Sequence, residues 1–574
     1  MKCLLLDVGS TFIKYSVYDN RTCKVICSDK EPFPEPSECV RGRFCVHRDK
    51  IDRIITQLFE YASKEGCNAA FISVQMHGYI VKTKSGELSD YVSWRDRSGD
   101  VSDKAISQMN FDLLGTSLKD NLPLVKLAQA RDVSEFFTLG SYIMWRLTKN
   151  NATHITDACA SGFFYSENGE YNGYLKDALM PKVYTDISVV GYSGNIAVYA
   201  PMGDHQVSFL GSGVRRDSFF LNIGTASQLT CTVDADHHSG MYEKRPYFER
   251  GVRLCTVSGL VGGDSLFSGE GEAKLLCQVS EALDSLEKKR SVLLGGGGAA
   301  KIYDKLKSML LCRGMDCVLI DKNVGMEGLR LIADRVRIRA GTMLSEVPFV
   351  NFPIIVKNSG LDFLMIDCEH GAFDPSVISG IIMNSNLIGL DTVIRLPSNS
   401  RENIIKLADA GARGFLLPMA NTKEDIATVV RYAKYSPVGE RGISTTRAHT
   451  LYDPPSLIEY KKEANEKMRV YAQIETACGV ENVEEILSVK GVDGVFVGPN
   501  DLSDDLGCIG DKEPIYKCID RVSCAAKSMG KTWGIITADR ELIEYAKKCG
   551  VSAISMGSEL NMLINGCKKL KESI

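Results

Sequence analysis

The chain has 574 residues, more than one hydrophobic core ordinarily organises, so two or three domains are expected. Hydrophobic residues make up 44% and charged residues 24%, as in globular proteins, and a formal net charge of -4 leaves no electrostatic footprint for nucleic acid. The opening MKCLLLDVG holds an apolar run too short for a signal-peptide core, and no later run approaches the ~20 residues of a membrane span. The expectation is a cytoplasmic protein with small-molecule partners and no membrane partner. The 19 cysteines form no CxxC pair, and Cys3, Cys255 and Cys368 lie in apolar stretches, as reduced thiols do.

The chain opens on a strand, 3–7, a Gly-Ser-Thr turn and a second alternating strand, 12–18: a β-hairpin with a hydroxyl-rich tip. The same plan returns at 218–227 and 228–233, which predicts a duplicated architecture with one hairpin per lobe. Asp7-Val-Gly-Ser-Thr11 and Asn222-Ile-Gly-Thr-Ala-Ser227 are turns whose glycines permit close backbone approach and whose N–H and hydroxyl groups suit phosphate oxygens, with Asp7 beside a magnesium–water cluster. A strand at 292–295 runs into Gly295-Gly-Gly-Gly-Ala-Ala300, a glycine loop that opens a helix and offers a nucleotide a flat backbone surface. Between them, Asp204 of Met202-Gly203-Asp204-His205-Gln206 stands in a glycine-flanked turn, placed to accept the proton of an attacking sugar hydroxyl. A strand at 317–320 and a helix at 325–334 close this half, and the boundary is set near Arg335.

From there β-branched strands alternate with helices: 339–344, 363–367, 392–396, 414–418, 470–475, 494–497, 532–537 and 553–556. Eight strand–helix repeats in about 240 residues predict a (β/α)8 barrel, whose chemistry sits at the C-terminal ends of its strands. Those ends carry Asp367-Cys-Glu-His370, Arg395, Gln473-Ile-Glu475 and Gly498-Pro-Asn-Asp501. Glu475 and Asp501 can converge on one divalent cation, magnesium, manganese or cobalt, leaving positions open for an α-keto acid. Arg395 then faces the enolate oxygen, and His370, oriented by Asp409, is the candidate base or proton relay. Lys357, Lys406 and Lys423 lie away from the strand ends, which disfavours a Schiff base.

The motifs DCEHG, VIRLPS, GFLLPM, PVGERGIS, QIET and VFVGPNDLS resemble the HpcH/HpaI family of metal-dependent, pyruvate-class aldolases, in family order over nearly all of 336–574. The resemblance implies Glu475 and Asp501 as metal ligands and His370, Arg395 and Gln473 as catalytic or substrate-contacting residues. It implies Gly498, Pro499 and Asn500 as the turn that receives the pyruvate carboxylate, and a homo-oligomer assembled through the barrel. Met343 replaces a common Trp and Asn500 a common Ala, departures that bear on substrate preference.

The first 334 residues resemble the FGGY carbohydrate kinases, whose fold is the two-lobed, actin-like (ribonuclease H-like) ATPase; QMHG at 75–78, SWRD at 93–96, LNIGT at 221–225 and RPYF at 245–248 are similar to sedoheptulokinases. The resemblance implies Mg-ATP as co-substrate and Asp204 as catalytic base. By it Asp7, Gly9, Ser10, Thr11, Gly224 and Thr225 contact phosphates, Gly296, Gly297, Gly298 and Ala299 contact adenosine, and His77, Trp94, Arg95 and Asp96 contact the sugar. The half is shorter than usual members between Gly262 and Val292, which leaves two readings open, a minimal kinase and a sugar- or nucleotide-sensing domain. The expected organisation is an N-terminal lobe over 1–200, a shortened ATP-binding lobe over 201–334 and the barrel over 335–574. The expected function is bifunctional: phosphorylation of a ketose-like, sedoheptulose-type sugar and reversible cleavage of a 4-hydroxy-2-oxo acid to pyruvate and an aldehyde. The alternatives are an aldolase regulated by a non-catalytic kinase-like domain, and a barrel acting as an acyl-CoA lyase.

Overall fold

The computed structural model describes residues 1–37, 42–102, 106, 115–127, 130–224, 226–234, 242–249, 251–263, 266, 269–453 and 456–573. The chain divides into two units, Met1–Arg337 and Ile338–Ile574.

The first unit holds two sheets built on one plan. In the first, Lys2–Val8, Phe12–Asp19 and Lys24–Pro32 run antiparallel in succession, and Ala69–Val74 joins Lys2–Val8 in parallel. Ile196–Tyr199 and the short Met202–Gly203 extend it in parallel on Ala69–Val74. In the second, Ser218–Asn222, Ser227–Asp234 and Val252–Leu260 are again antiparallel, and Ser291–Gly295 and Asp316–Leu319 follow in parallel. A hairpin-led sheet continued by parallel strands, made twice, is the duplicated arrangement that the paired turns predict.

The first strand is apolar on both faces because both faces are covered. Leu4, Leu6 and Val8 enter the core capped by helix Arg48–Lys64, whose Ile51, Ile55, Leu58 and Phe59 follow the helical repeat. Cys3 and Leu5 enter the opposite core with Leu329, Ile332 and Ala333 of helix Val324–Arg335. That helix crosses Asp204–Ser212 at backbone contact: a Cβ on Gly211 would lie 1.8 Å from the Val324 carbonyl, and one on Gly328 2.0 Å from that of Val207. Helix Gly269–Ser285 spans most of the stretch where the second lobe is short.

The second unit is a closed barrel of eight parallel strands, Arg339–Leu344, Phe363–Asp367, Asp391–Arg395, Gly414–Leu417, Arg469–Ile474, Gly494–Val497, Thr532–Ile536 and Ala553–Ser558. All eight fall within two residues of the spans read from the sequence. Alternation sorts their side chains: Phe363, Met365, Val393, Leu416 and Phe496 fill the interior, whereas Leu364, Ile366 and Ile394 pack outward with the helices. Every described cysteine is a free thiol, and no helix among the described residues is long and apolar enough to cross a membrane.

Candidate functional site

At the top of the barrel, Glu475 follows the fifth strand and is 3% exposed. Its Oε1 accepts the Met419 N–H at 2.6 Å, and its Oε2 accepts the Gln473 side-chain amide. Met419, just past strand four, holds φ +49, an unfavourable value for a side-chain-bearing residue, and so turns its N–H toward the carboxylate. Burial, then Asp501 and Glu369, push the Glu475 carboxyl up to about 7 against the opposing Met419 N–H. Asp501 lies in the first turn of helix Pro499–Asp505. A Cβ on Gly498 would come within 2.9 Å of Glu475 Oε2 and 3.0 Å of Gln473 Nε2, so glycine keeps this wall open. Pro499 is buried, and Asn500 is exposed beside Asp501.

Arg395 ends the third strand and is 8% exposed. Asp367 grips it as a fork, Oδ1 to Nε at 2.9 Å and Oδ2 to Nη2 at 2.6 Å. Burial acts to raise the Asp367 carboxyl, but Arg395 and the N–H groups of His370 and Glu369 hold it below its ordinary value. Glu369 Oε2 stands 3.4 Å from Arg395 Nε and 3.8 Å from His370 Nε2, while the His370 side chain is 74% exposed. Asp409, expected to orient His370, instead binds Arg441 Nη2 at 2.7 Å. The reason is topological: Asp409 closes helix Arg401–Asp409, which leads into strand four and so ends near the opposite mouth of the barrel. The sequence places Asp367 and Glu369 at a strand end but gives them no role there, and it does not single out Met419 at all.

No group of three or more His, Cys, Asp and Glu side chains with metal-holding geometry occurs among the described residues. A divalent ion nonetheless fits this pocket. Gln473 Oε1 is buried with no hydrogen-bond partner, and burial together with the neighbouring Asp501 and Glu369 disfavours the charged Glu475 carboxylate, which a bound cation would offset.

In the first unit, Asp204 opens helix Asp204–Ser212 directly after strand Met202–Gly203, so it stands at a helix start where the sequence predicted a turn. Burial, then Asp7, push its carboxyl up to about 7, against the His205 N–H and Arg245. Asp7 is 7% exposed; its Oδ1 accepts the Ser73 hydroxyl at 2.9 Å and its Oδ2 faces Lys14 Nζ at 3.5 Å. In the turn that follows, Gly9 N–H bonds the Phe12 carbonyl at 3.1 Å, Ser10 is partly exposed and Thr11 exposed.

The other turn and the glycine loop meet. The Gly298 N–H bonds the Ile223 carbonyl at 3.0 Å, and Gly296, at φ +94, leaves a Cβ only 2.4 Å from that same carbonyl. Gly297 faces open space, whereas Ala299 is buried in the second-lobe core. The Gly224 carbonyl accepts the Gly263 N–H at 2.8 Å, and Thr225 lies outside the described residues.

His77 holds φ +64 and donates from Nδ1 to the Ala160 carbonyl at 2.6 Å; burial, then Lys119 and Arg245, lower its pKa to about 3. The Arg95 guanidinium lies 5.4 Å from the Phe44 ring centre and 5.9 Å from that of Trp94. Asp96 is 1% exposed and bound to Lys126 Nζ at 3.0 Å and the Phe44 N–H at 2.9 Å, contacts that fix its loop.

The family description HpcH/HpaI aldolase/citrate lyase matches residues 354–566. A 5-keto-4-deoxy-D-glucarate aldolase from Klebsiella pneumoniae is 30% identical over 217 residues, 38% of this chain and 84% of that relative. Among solved structures, an HpcH/HpaI aldolase from Desulfitobacterium hafniense DCB-2 is 32% identical, covering 42% of this chain and 95% of its own, with a TM-score of 0.40. A ligand-bound xylulose kinase from Lactobacillus acidophilus is 17% identical, covering 58% of this chain and 89% of its own, with a TM-score of 0.49. Through its barrel, the chain belongs to the HpcH/HpaI aldolase/citrate lyase family.

Proposed function

We propose that the barrel reversibly cleaves a 4-hydroxy-2-oxo acid to pyruvate and an aldehyde with the help of a divalent metal. The observation that carries this reading is the strand-top group in which Glu475, raised by burial and the nearby Asp501, accepts the side-chain amide of a Gln473 whose own oxygen is buried and unpartnered, beside an Arg395 locked by Asp367. Glu475 and Asp501 would hold the cation, whose chemistry is to polarise the 2-oxo group and stabilise the enolate charge. Asp367 occupies Nε and Nη2 of Arg395 and leaves Nη1 to the oxygen on which charge develops as the C3–C4 bond breaks. The 4-hydroxyl proton leaves as the aldehyde forms, and a proton returns to C3 of the enolate. His370, exposed at the mouth within reach of Glu369, relays these protons to solvent. Gly498 to Asn500 receive the carboxylate at the start of helix Pro499–Asp505. Calorimetric titration with manganese tests the metal site: saturable binding that Glu475→Ala removes supports it, and equal binding by the variant contradicts it.

The first unit is read as a carbohydrate kinase with lobes over 1–200 and 201–334. Asp204, with its carboxyl near 7, accepts the proton of the attacking hydroxyl as oxygen bonds the γ-phosphorus and ADP departs. Turns 9–11 and 224–225 take the phosphates, and the loop at 296–299 takes the adenosine. The meeting of that loop with the Ile223–Gly224 turn supports this reading. ADP release on addition of a sugar, lost in Asp204→Ala, is the test; no ADP with any sugar would favour a sensing domain.

A further inference from the structure

A second ionic group lies beside Asp204, outside the roles assigned above. Glu243, on strand Glu243–Pro246, is 4% exposed and accepts from the Ser117 and Ser258 hydroxyls, each at 2.7 Å, from Arg245 Nε at 2.9 Å, and from the Lys119 ammonium. Among the described residues Glu243 alone hydrogen-bonds both cations, and Asp204, held protonated up to about 7, adds a second full negative charge only above that pH. Of the three charged side chains Glu243 and Arg245 are closed off, at 3% and 6% exposure, and Lys119 keeps 24%. Burying charge without a full counter-charge is costly, and an incoming anion would relieve that cost.

The neighbouring histidines cannot supply the missing negative charge, and their tautomers are fixed. Thr230 gives its hydroxyl proton to Thr256, so His205 must donate from Nε2 to Thr230 at 3.0 Å, which leaves Nδ1 as a lone pair, buried and without a partner. His77 spends its Nδ1 proton on the Ala160 carbonyl and likewise keeps a lone pair at Nε2. Burial together with Arg245 and Lys119 keeps both imidazoles neutral. The wall beside the base thus presents hydrogen-bond acceptors, suited to sugar hydroxyls, and one ammonium suited to an anion.

Resting on the kinase reading, we propose that the phosphoryl acceptor of the first unit is a sugar acid, its carboxylate bound by Lys119 and its hydroxyls by His77 and His205. Arg245, fixed by Glu243, is a positioning residue that keeps the surplus positive charge in place. Both units would then act on polyhydroxy chains bearing a carboxylate.

The test uses the full chain and a matched panel of five- and six-carbon aldonates, uronates and neutral ketoses. Binding is measured by calorimetry without ATP, and turnover by ADP release. The expected result is saturable binding of at least one acid, and in Lys119→Met a tenfold or larger fall in the acid-to-ketose ratio of kcat/KM, carried by KM. Lys119→Arg should recover part of that ratio. If Lys119→Met does not fold, acid binding by the parent that weakens steeply between low and high salt serves the same purpose. Turnover of neutral ketoses with no binding of any acid would overturn the proposal, as would an equal loss on acids and ketoses in Lys119→Met. Acid binding that depends on Lys119 without ADP release would retain the carboxylate site and refute the kinase reading instead.

Discussion

Replacing Asp204 by Asn should cut phosphorylation severely and stabilise the first unit at alkaline pH. The Asp204 carboxyl is displaced upward from an ordinary value near 3.8 to about 7, by burial first and then by Asp7. At ~1.4 kcal/mol per pK unit, the ionised form carries a penalty of at most about 4 kcal/mol. The sign follows from which state ionises first. Below pH 3.8 both folded and unfolded chains are protonated and no penalty exists; between 3.8 and 7 the unfolded chain ionises alone and stability falls; above 7 the loss is complete. Asparagine never ionises, so Asp204→Asn should match the parent near pH 4 and exceed it by up to about 4 kcal/mol near pH 8, in urea titrations that follow the first unit. Phosphorylation should drop by roughly two to four orders of magnitude, the usual worth of a positioned base, and kcat/KM of the parent should rise with pH through about 7. A variant no more stable than the parent at pH 8, or one whose advantage is the same at every pH, would refute the reasoning.

Arg395→Lys keeps the charge but loses the fork to Asp367, so kcat for aldol cleavage should fall about a hundredfold with a smaller change in KM, in a coupled pyruvate assay. Gly296→Ala places a methyl 2.4 Å from the Ile223 carbonyl at a backbone angle only glycine tolerates, so fluorescent-nucleotide binding should be lost before the barrel's activity changes. On helix Glu559–Glu572, Leu560, Leu563, Ile564 and Leu570 are all exposed, consistent with assembly through the barrel. Leu563→Glu with Ile564→Glu should reduce the mass seen by light scattering, and an unchanged mass would remove this helix from the interface.

The strand spans of the barrel were legible because each is a short, largely apolar run that alternates with a helix-length segment, eight times over, and the chemistry follows from the strand ends once the barrel is recognised. What pattern alone does not reveal is which polar side chains are spent on one another. SWRD points to Asp96 as a sugar contact but says nothing of Lys126, thirty residues away, with which it pairs. Asp409 reads as a partner for His370 until the helix that carries it is seen to end at the far mouth of the barrel. The Glu243 cluster joins 117–119 to 243–258, separations that no local motif reports. Met419 was invisible for a different reason: its contribution is a backbone N–H set by a positive φ, which side-chain identity does not encode.

The central claim is tested most directly by pyruvate release from a panel of 4-hydroxy-2-oxo acids, with magnesium, manganese or cobalt and again after chelation. The account predicts metal-dependent release that chelation suppresses and Glu475→Ala abolishes. No release from any member of the panel in any metal, or release that survives both chelation and Glu475→Ala, would contradict it.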